Sequence, residues 1–171
     1  FSYTNNGQIF HYDEPTDQFF FLTDLREETD NSHITIGTIV ADTSNVLWIA
    51  SSIGLFKYEN NILTKIPQTE EHIKHLTFYD DNHLFYITSA GISLLNISTS
   101  ESRLLYSNTT EDFFQVPSLY YDDQLKRLWI GTGSAGLFYY DIIRKSLSDI
   151  PIRNFPKQPI LAIRKDAKNT L

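Results

Sequence analysis

Three features of the sequence predict an all-β chain built of four-stranded β-propeller blades. The first is an internal repeat. Leu47 to Tyr58 reads LWIASSIGLFKY, Leu84 to Leu95 reads LFYITSAGISLL, and Leu128 to Tyr140 reads LWIGTGSAGLFYY. Tyr3 to Tyr12 (YTNNGQIFHY) is a shorter version of the same pattern. Each copy is a short apolar segment, a small polar loop, a Gly and a second apolar segment. The second feature is spacing. Leucines at 47, 84, 128 and 171 mark steps of 37, 44 and 43 residues, the length of a propeller blade. The third is the absence of any sustained helical period, combined with segments rich in Ile, Phe, Tyr and Trp and bounded by Gly, Asn, Asp, Ser and Pro.

The elements of a blade follow in order. The innermost strand starts near Ile36, Ile73, Pro117 or Ile160. Ile36 to Leu47 (IGTIVADTSNVL) aligns without a gap on Ile160 to Leu171 (ILAIRKDAKNTL), pairing Asp42 with Asp166 and Asn45 with Asn169. Pro117 to Leu128 keeps that register, which puts Tyr120 beside Ile39 and Asp123 beside Asp42. In Ile73 to Leu84 the Asp is displaced by one residue, to Asp80. Asp and Asn suit the following turn because their side chains bond the local backbone and tolerate unusual dihedrals. The second strand is the LWI segment. Only seven glycines exist, and four of them (Gly7, Gly54, Gly91 and Gly136) stand where the chain turns into the third strand. The fourth strand is the variable one: Gln18 to Leu22, Ile62 to Ile66, Arg103 to Tyr106 and Ser146 to Ile150. The expected layout is a partial blade over 1–24, blades over about 36–67, 73–106 and 117–150, and a partial blade over 160–171. These are expected to form an arc of a larger propeller, and exposed blade faces at its ends lead to an expectation of self-association.

Composition narrows the function classes. The 171 residues include 12 Phe, 10 Tyr and 2 Trp, too many for a disordered chain. The net charge of −7, without a Lys/Arg run, argues against nucleic-acid binding. No apolar stretch approaches the roughly 18 residues of a membrane span. The absence of cysteine removes disulfides, thiolate metal sites and Cys nucleophiles together. The absence of methionine suggests that Phe1 is not an initiator and that the chain comes from a longer one.

LWIASSIGLFKYE (Leu47 to Glu59) and LWIGTGSAGLFYYD (Leu128 to Asp141) resemble the two-component-regulator propeller repeat. That repeat has the form leader, Asp, turn, LWIGT, x, GL, two residues, Tyr-Asp. The likeness extends over nearly the whole chain as about four copies. Ala50 replaces the usual Gly in one copy. Phe85 and Asn96 replace Trp and Asp in another, and the first copy rests on Gly7, Tyr12 and Asp13. The resemblance implies the periplasmic sensor region of a Bacteroides-type hybrid two-component receptor, with two seven-bladed propellers ahead of a membrane span and a histidine kinase. It further implies an oligosaccharide ligand, control of polysaccharide-utilisation genes, and no catalysis by this segment. Partners would be the remaining blades of the parent chain and a second copy in a homodimer, with membrane attachment only through the parent. A free-standing propeller enzyme (a lyase or lactonase) and a protein-interaction scaffold are the alternatives.

No catalytic, metal or cofactor site can be assigned, and the ligand-binding residues are not identified. His72 and His75, preceded by Glu70 and Glu71, enter a strand, where residues three apart point to opposite faces; a solvated loop is the expected reading. Arg26 to His33 (REETDNSH), Glu111 to Gln115 and Pro151 to Pro159 join one blade to the next and are candidates for a ligand face. Glu27 and Glu28 are adjacent and cannot straddle a glycosidic bond. GTGSAG (Gly131 to Gly136) precedes a strand and lacks the Lys of a phosphate loop. No G-x-S-x-G elbow occurs. Trp48 and Trp129 are expected to pack between blades. One member of each pair Tyr120-Tyr121 and Tyr139-Tyr140 is expected to pack and the other to face a groove or solvent. An enzyme centred on the propeller axis would show His, Glu, Asp or Asn at the innermost-strand positions Ile36, Ile73, Pro117, Ile160, Ile39, Leu76, Tyr120 and Ile163; these are apolar, which argues against it. Asn96-Ile-Ser98 and Asn108-Thr-Thr110 match the glycosylation pattern, accidentally if the source is bacterial.

Overall fold

The computed structural model describes residues 1–29, 33–67, 69, 72–108, 115–148 and 158–166. They form an all-β structure of antiparallel sheets, each strand hydrogen-bonded to the next in sequence. The chain divides into two compact units, Phe1–Ile73 and Lys74–Leu171.

The first unit holds a three-stranded sheet, β1 (Ser2–Tyr3), β2 (Gln8–Asp13) and β3 (Gln18–Asp24). It also holds a four-stranded sheet, β4 (Ile36–Ala41), β5 (Leu47–Ser51), β6 (Gly54–Glu59) and β7 (Ile62–Lys65). Alternation sends Ile9, Leu47, Ile49, Phe56 and Tyr58 into a common core with Leu25, Ile34 and Ile36. The opposite face of the first sheet is aromatic. Phe10 lies across from Phe21 and Tyr12 across from Phe19, with ring centroids 5.8 and 5.1 Å apart. Phe19 on this face is 60% exposed.

The second unit holds β8 (His75–Asp80), β9 (His83–Ile87), β10 (Gly91–Asn96) and β11 (Ser102–Ser107). A further sheet contains β12 (Ser118–Asp122), β13 (Arg127–Gly131), β14 (Leu137–Asp141) and β15 (Ser146–Ser148). Phe85, Ile87 and Ile92 of one sheet close on Leu119, Tyr121, Leu128, Ile130 and Tyr140 of the other. Of the two tyrosine pairs, Tyr121 and Tyr140 are buried while Tyr120 and Tyr139 stay partly open.

The glycine reading is sound. All four repeated glycines have positive φ, from 91° to 142°. At Gly54 and Gly91 a Cβ would also fall on the backbone carbonyl of Thr69 or Tyr106, so these two positions exclude a side chain twice over.

The gapless register of the innermost strands needs correction. Asp42 Oδ1 accepts the amides of Ser44 and Val46 at 2.8 and 3.0 Å, closing the first turn. In the third four-stranded sheet the residue with this role is Asp122, which accepts from Gln124 and Leu125 at 3.0 and 3.1 Å; Asp123 is exposed. Ser118 pairs with Gly131 and Leu119 with Ile130, so Leu119, not Tyr120, is the counterpart of Ile39. The cause is turn length. Asp42 bonds across three residues to Val46, whereas Asp122 pairs across four with Arg127. Asp80 pairs across only two with His83, and a bulge at Tyr79 absorbs the difference.

At the chain's start, β1 precedes the expected third strand and pairs with it. Residues 158–166 carry no strand ladder; Ile160 donates to the Thr132 carbonyl at 3.0 Å, as Ile73 does to Ser51 at 2.9 Å.

Candidate functional site

Blade connections and second-to-third-strand turns meet along one edge of each unit. In the first unit the Thr35 amide donates to Ser52 Oγ at 3.0 Å and the Ser52 amide returns a bond to the Thr35 carbonyl at 2.9 Å. Thr69 Oγ1 accepts the Leu55 amide at 3.2 Å and donates to the Ile66 carbonyl at 2.6 Å. In the second unit Asn108 donates through its amide to the Ala90 carbonyl at 2.8 Å, and through Nδ2 to the Ser89 carbonyl at 3.3 Å. The Gly133 amide donates to the Gln115 carbonyl at 3.0 Å. At these residues the turns and the connections are hydrogen-bonded to one another.

The hydroxyls on this edge serve the turns. Ser51 Oγ donates to the Gly54 carbonyl at 2.7 Å, and Thr132 Oγ1 donates to the Gly136 carbonyl at 2.8 Å. Both are buried, and Thr88 holds the Ala90 amide in the equivalent place. A hydroxyl so engaged is not poised as a nucleophile. GTGSAG is thus a turn closed by its own Thr132.

The segment Arg26 to His33 opens in a 3-10 turn over Leu25–Glu28, which Asp24 caps through the Arg26 amide at 3.0 Å. The Arg26 guanidinium pairs in a fork with the Asp24 carboxylate. Its hydrogen bonds, chiefly, hold Asp24 below the ordinary carboxylate range against the opposing effect of burial. Glu27 and Glu28, the last two residues of the turn, are exposed. Residues 30–32, 111–114 and 151–157 of the candidate ligand face lie outside the described residues.

His75 enters β8 with Nδ1 3.2 Å from the Leu76 carbonyl, and burial depresses its pKa. His72 is exposed ahead of the strand; Glu70 and Glu71 lie outside the described residues. Among the described residues no three His, Asp or Glu side chains converge on a point that could hold a metal. Asn96 Oδ1 accepts the Ser98 and Thr99 amides at 2.9 and 3.1 Å in a local turn.

Trp48 is 2% exposed, with Nε1 3.4 Å from Asp42 Oδ2 and Lys57 Nζ 5.9 Å from its ring. Trp129 is only half-buried and packs edge-on against Tyr139, which also carries the Arg127 guanidinium at 4.3 Å. Two kinds of tie, three pairs in all, went unread in the sequence. Tyr58 and Tyr140 donate their hydroxyls to the carbonyls of Leu22 and Leu105, each on the fourth strand of the preceding sheet. Lys165 Nζ reaches the fully buried Asp122 carboxylate at 3.1 Å. The last Tyr of each GLF-x-Tyr motif was the available signal for the first kind; nothing local signals the second.

Repeating antiparallel sheets of this order, with glycine-hinged third strands and tyrosine ties to the sheet before, define β-propeller blades. The chain is similar to the extracellular domain of BT4673 from B. thetaiotaomicron, described as a hybrid two component system and elsewhere as a one component system. The TM-score is 0.63 in both, with 20% and 21% identity over 78% of this chain and 18% of that one. It is similar also to the extracellular domain of BT3049 from B. thetaiotaomicron, described as a hybrid two component system (0.65; 18% identity; 85% and 21%). The WD40 propeller domain of Doa1 matches at 0.60, with 16% identity over 79% of this chain and 46% of that one. At these identities the likeness shows the fold. The chain spans about a fifth of the length of the two extracellular domains. Neither a protein-family model nor a curated protein matches the sequence.

Proposed function

We propose that this chain is a non-catalytic recognition segment from the extracytoplasmic part of a hybrid two-component receptor. The observation that carries the reading is the coincidence of two independent likenesses. The LWIGT repeat points to such receptors, and the blades superpose on extracellular domains described as parts of them. No helix among the described residues is long and apolar enough to cross a membrane; in this proposal the parent chain supplies the span, the histidine kinase and the periplasmic placement. The remaining blades of the parent pack on the aromatic face of Phe10, Tyr12, Phe19 and Phe21, and a second receptor copy completes a dimer.

The proposed mechanism is differential binding. An oligosaccharide that fits one arrangement of the paired ectodomains better than the other shifts the equilibrium by the ratio of its two affinities. Kinase output and transcription of polysaccharide-utilisation genes follow that shift. The turns held by hydrogen bonds to Thr35, Thr69, Asn108 and Gln115 suit the task, because groups already held in place lose little entropy on binding. Isothermal titration of the complete ectodomain with glycan fragments tests this: saturable binding to one glycan class is expected. Absence of binding to every class, with a protein partner bound instead, would replace the sensor by a scaffold.

A further inference from the structure

We propose that the second unit carries a binding site for an aryl carboxylate, in a cavity between its two sheets. This inference does not rest on the receptor reading. The cavity is about 290 Å³, near the lower end for small-molecule pockets. Phe85, Leu94, Leu105 and Tyr140 supply apolar wall, and Arg103 and Lys145 stand at its exposed rim.

The cavity has an origin in the repeat. Phe85, Leu94 and Arg103 are cross-strand neighbours in one row. The same row reads Trp48, Lys57, Thr64 in the first four-stranded sheet and begins Trp129, Tyr139, Ser148 in the last. Of the three four-stranded sheets only the middle one lacks the indole; its Phe85 is 1% exposed and packs against Tyr79 and Tyr121, with ring centroids 5.1 and 5.4 Å away, and the cavity opens beside this cluster. A planar aryl group suits a cavity edged by Tyr79, Phe85 and Tyr140.

Charge fixes the other end of the ligand. Arg103 is the cation in a row position that holds Thr64 and Ser148 elsewhere. Lys145 occupies the left-handed site of the third-to-fourth turn (φ 55°), where the other repeats place Asp17, Asn61 and Ser100. Those are small residues suited to local hydrogen bonding; a long basic side chain gains nothing from this backbone. Neither Arg103 nor Lys145 joins an ion pair among the described residues, in a chain of net charge −7. Two cations with no ion pair among the described residues, at the rim of a cavity edged by aromatic side chains, attract a carboxylate carried on a ring.

Isothermal titration of the 171-residue chain with indole-3-acetate, against the uncharged indole-3-ethanol, tests the proposal. Indole-3-acetate should bind at least tenfold more tightly than the alcohol, and added salt should narrow the gap. Phe85→Trp restores the ring found in the other copies; it should abolish binding while the thermal midpoint is kept or raised. If that variant does not fold, Arg103→Glu, a change at an exposed position, decides in its place and should cost at least tenfold in affinity. Equal binding of acid and alcohol, no binding of the acid at millimolar concentration, or unchanged affinity in whichever variant decides would overturn the assignment.

Discussion

The Tyr140 hydroxyl donates to the Leu105 carbonyl at 3.3 Å, tying the third strand of one blade to the fourth strand of the blade before it. Tyr58 takes the same place in the other unit, its hydroxyl 3.2 Å from both the Leu22 carbonyl and Asn61 Oδ1. At the same register β10 carries Leu95, paired with Leu84 as Tyr140 is with Leu128. The Tyr of the repeat is thus a joint between blades, and its burial is a consequence of reaching the neighbour's backbone.

Removing that hydroxyl leaves a backbone carbonyl with one partner fewer. Tyr140→Phe is expected to cost about 1 kcal/mol, and Tyr58→Phe about the same, with the two effects adding because they lie in separate units. Urea unfolding of the single and double variants measures this. A double variant as stable as the starting chain would show that the ties contribute nothing.

Gly54→Ala and Gly91→Ala should be far more damaging than Gly7→Ala. At the first two a Cβ meets the Thr69 or Tyr106 carbonyl; at Gly7 the nearest contact is the Leu25 Cβ at 3.4 Å, so only the positive φ opposes it. About 1 kcal/mol is expected for Gly7→Ala and above about 3 kcal/mol for the other two. Thermal midpoints that rank Gly7→Ala with Gly91→Ala would refute the packing account.

Asp122→Ala should cost about 3 kcal/mol, because it removes the buried carboxylate that accepts the Gln124 and Leu125 amides and pairs with Lys165. Asp123→Asn should fall within about 0.5 kcal/mol, since its ion pair among the described residues is with Lys126 at the surface, and the Asp123 side chain is 77% exposed. Equal losses from the two would restore the gapless register.

His75 gives stability a slope near neutrality. Burial holds its folded pKa below 6.5, the unfolded value, so between the two the unfolded chain binds more protons. The contribution is complete above pH 6.5 and is lost as pH falls toward the folded pKa. His75→Thr, the residue that Thr38 supplies at this register, should flatten stability between pH 5.5 and 7.5. Asp24, Asp80 and Asp122 are all held below their ordinary values, so a further loss should appear below about pH 4, which the His75 variant retains.

The glycines and the LWI segments made the blades legible, because a positive φ beside a close backbone contact admits one residue type. The first turn was less legible. Its length varies from two to four residues between Asp80 and Asp122, and the bulge at Tyr79 hides the change from a gapless alignment. The candidate site was the least legible. Its hydroxyls at Ser51 and Thr132 belong to the repeat and serve its turns, whereas a binding residue is a departure from the repeat. Phe85 was visible as such a departure, but its meaning depended on Arg103 and Lys145, which strand pairing and a turn bring to it.

The receptor reading is tested most directly by sequencing the parent reading frame on both sides of this chain. The account predicts further LWIGT-type repeats, then one membrane span and a histidine-kinase phosphoacceptor region. A frame that encodes neither span nor kinase would contradict it, and a secreted binding protein or a propeller enzyme would take its place.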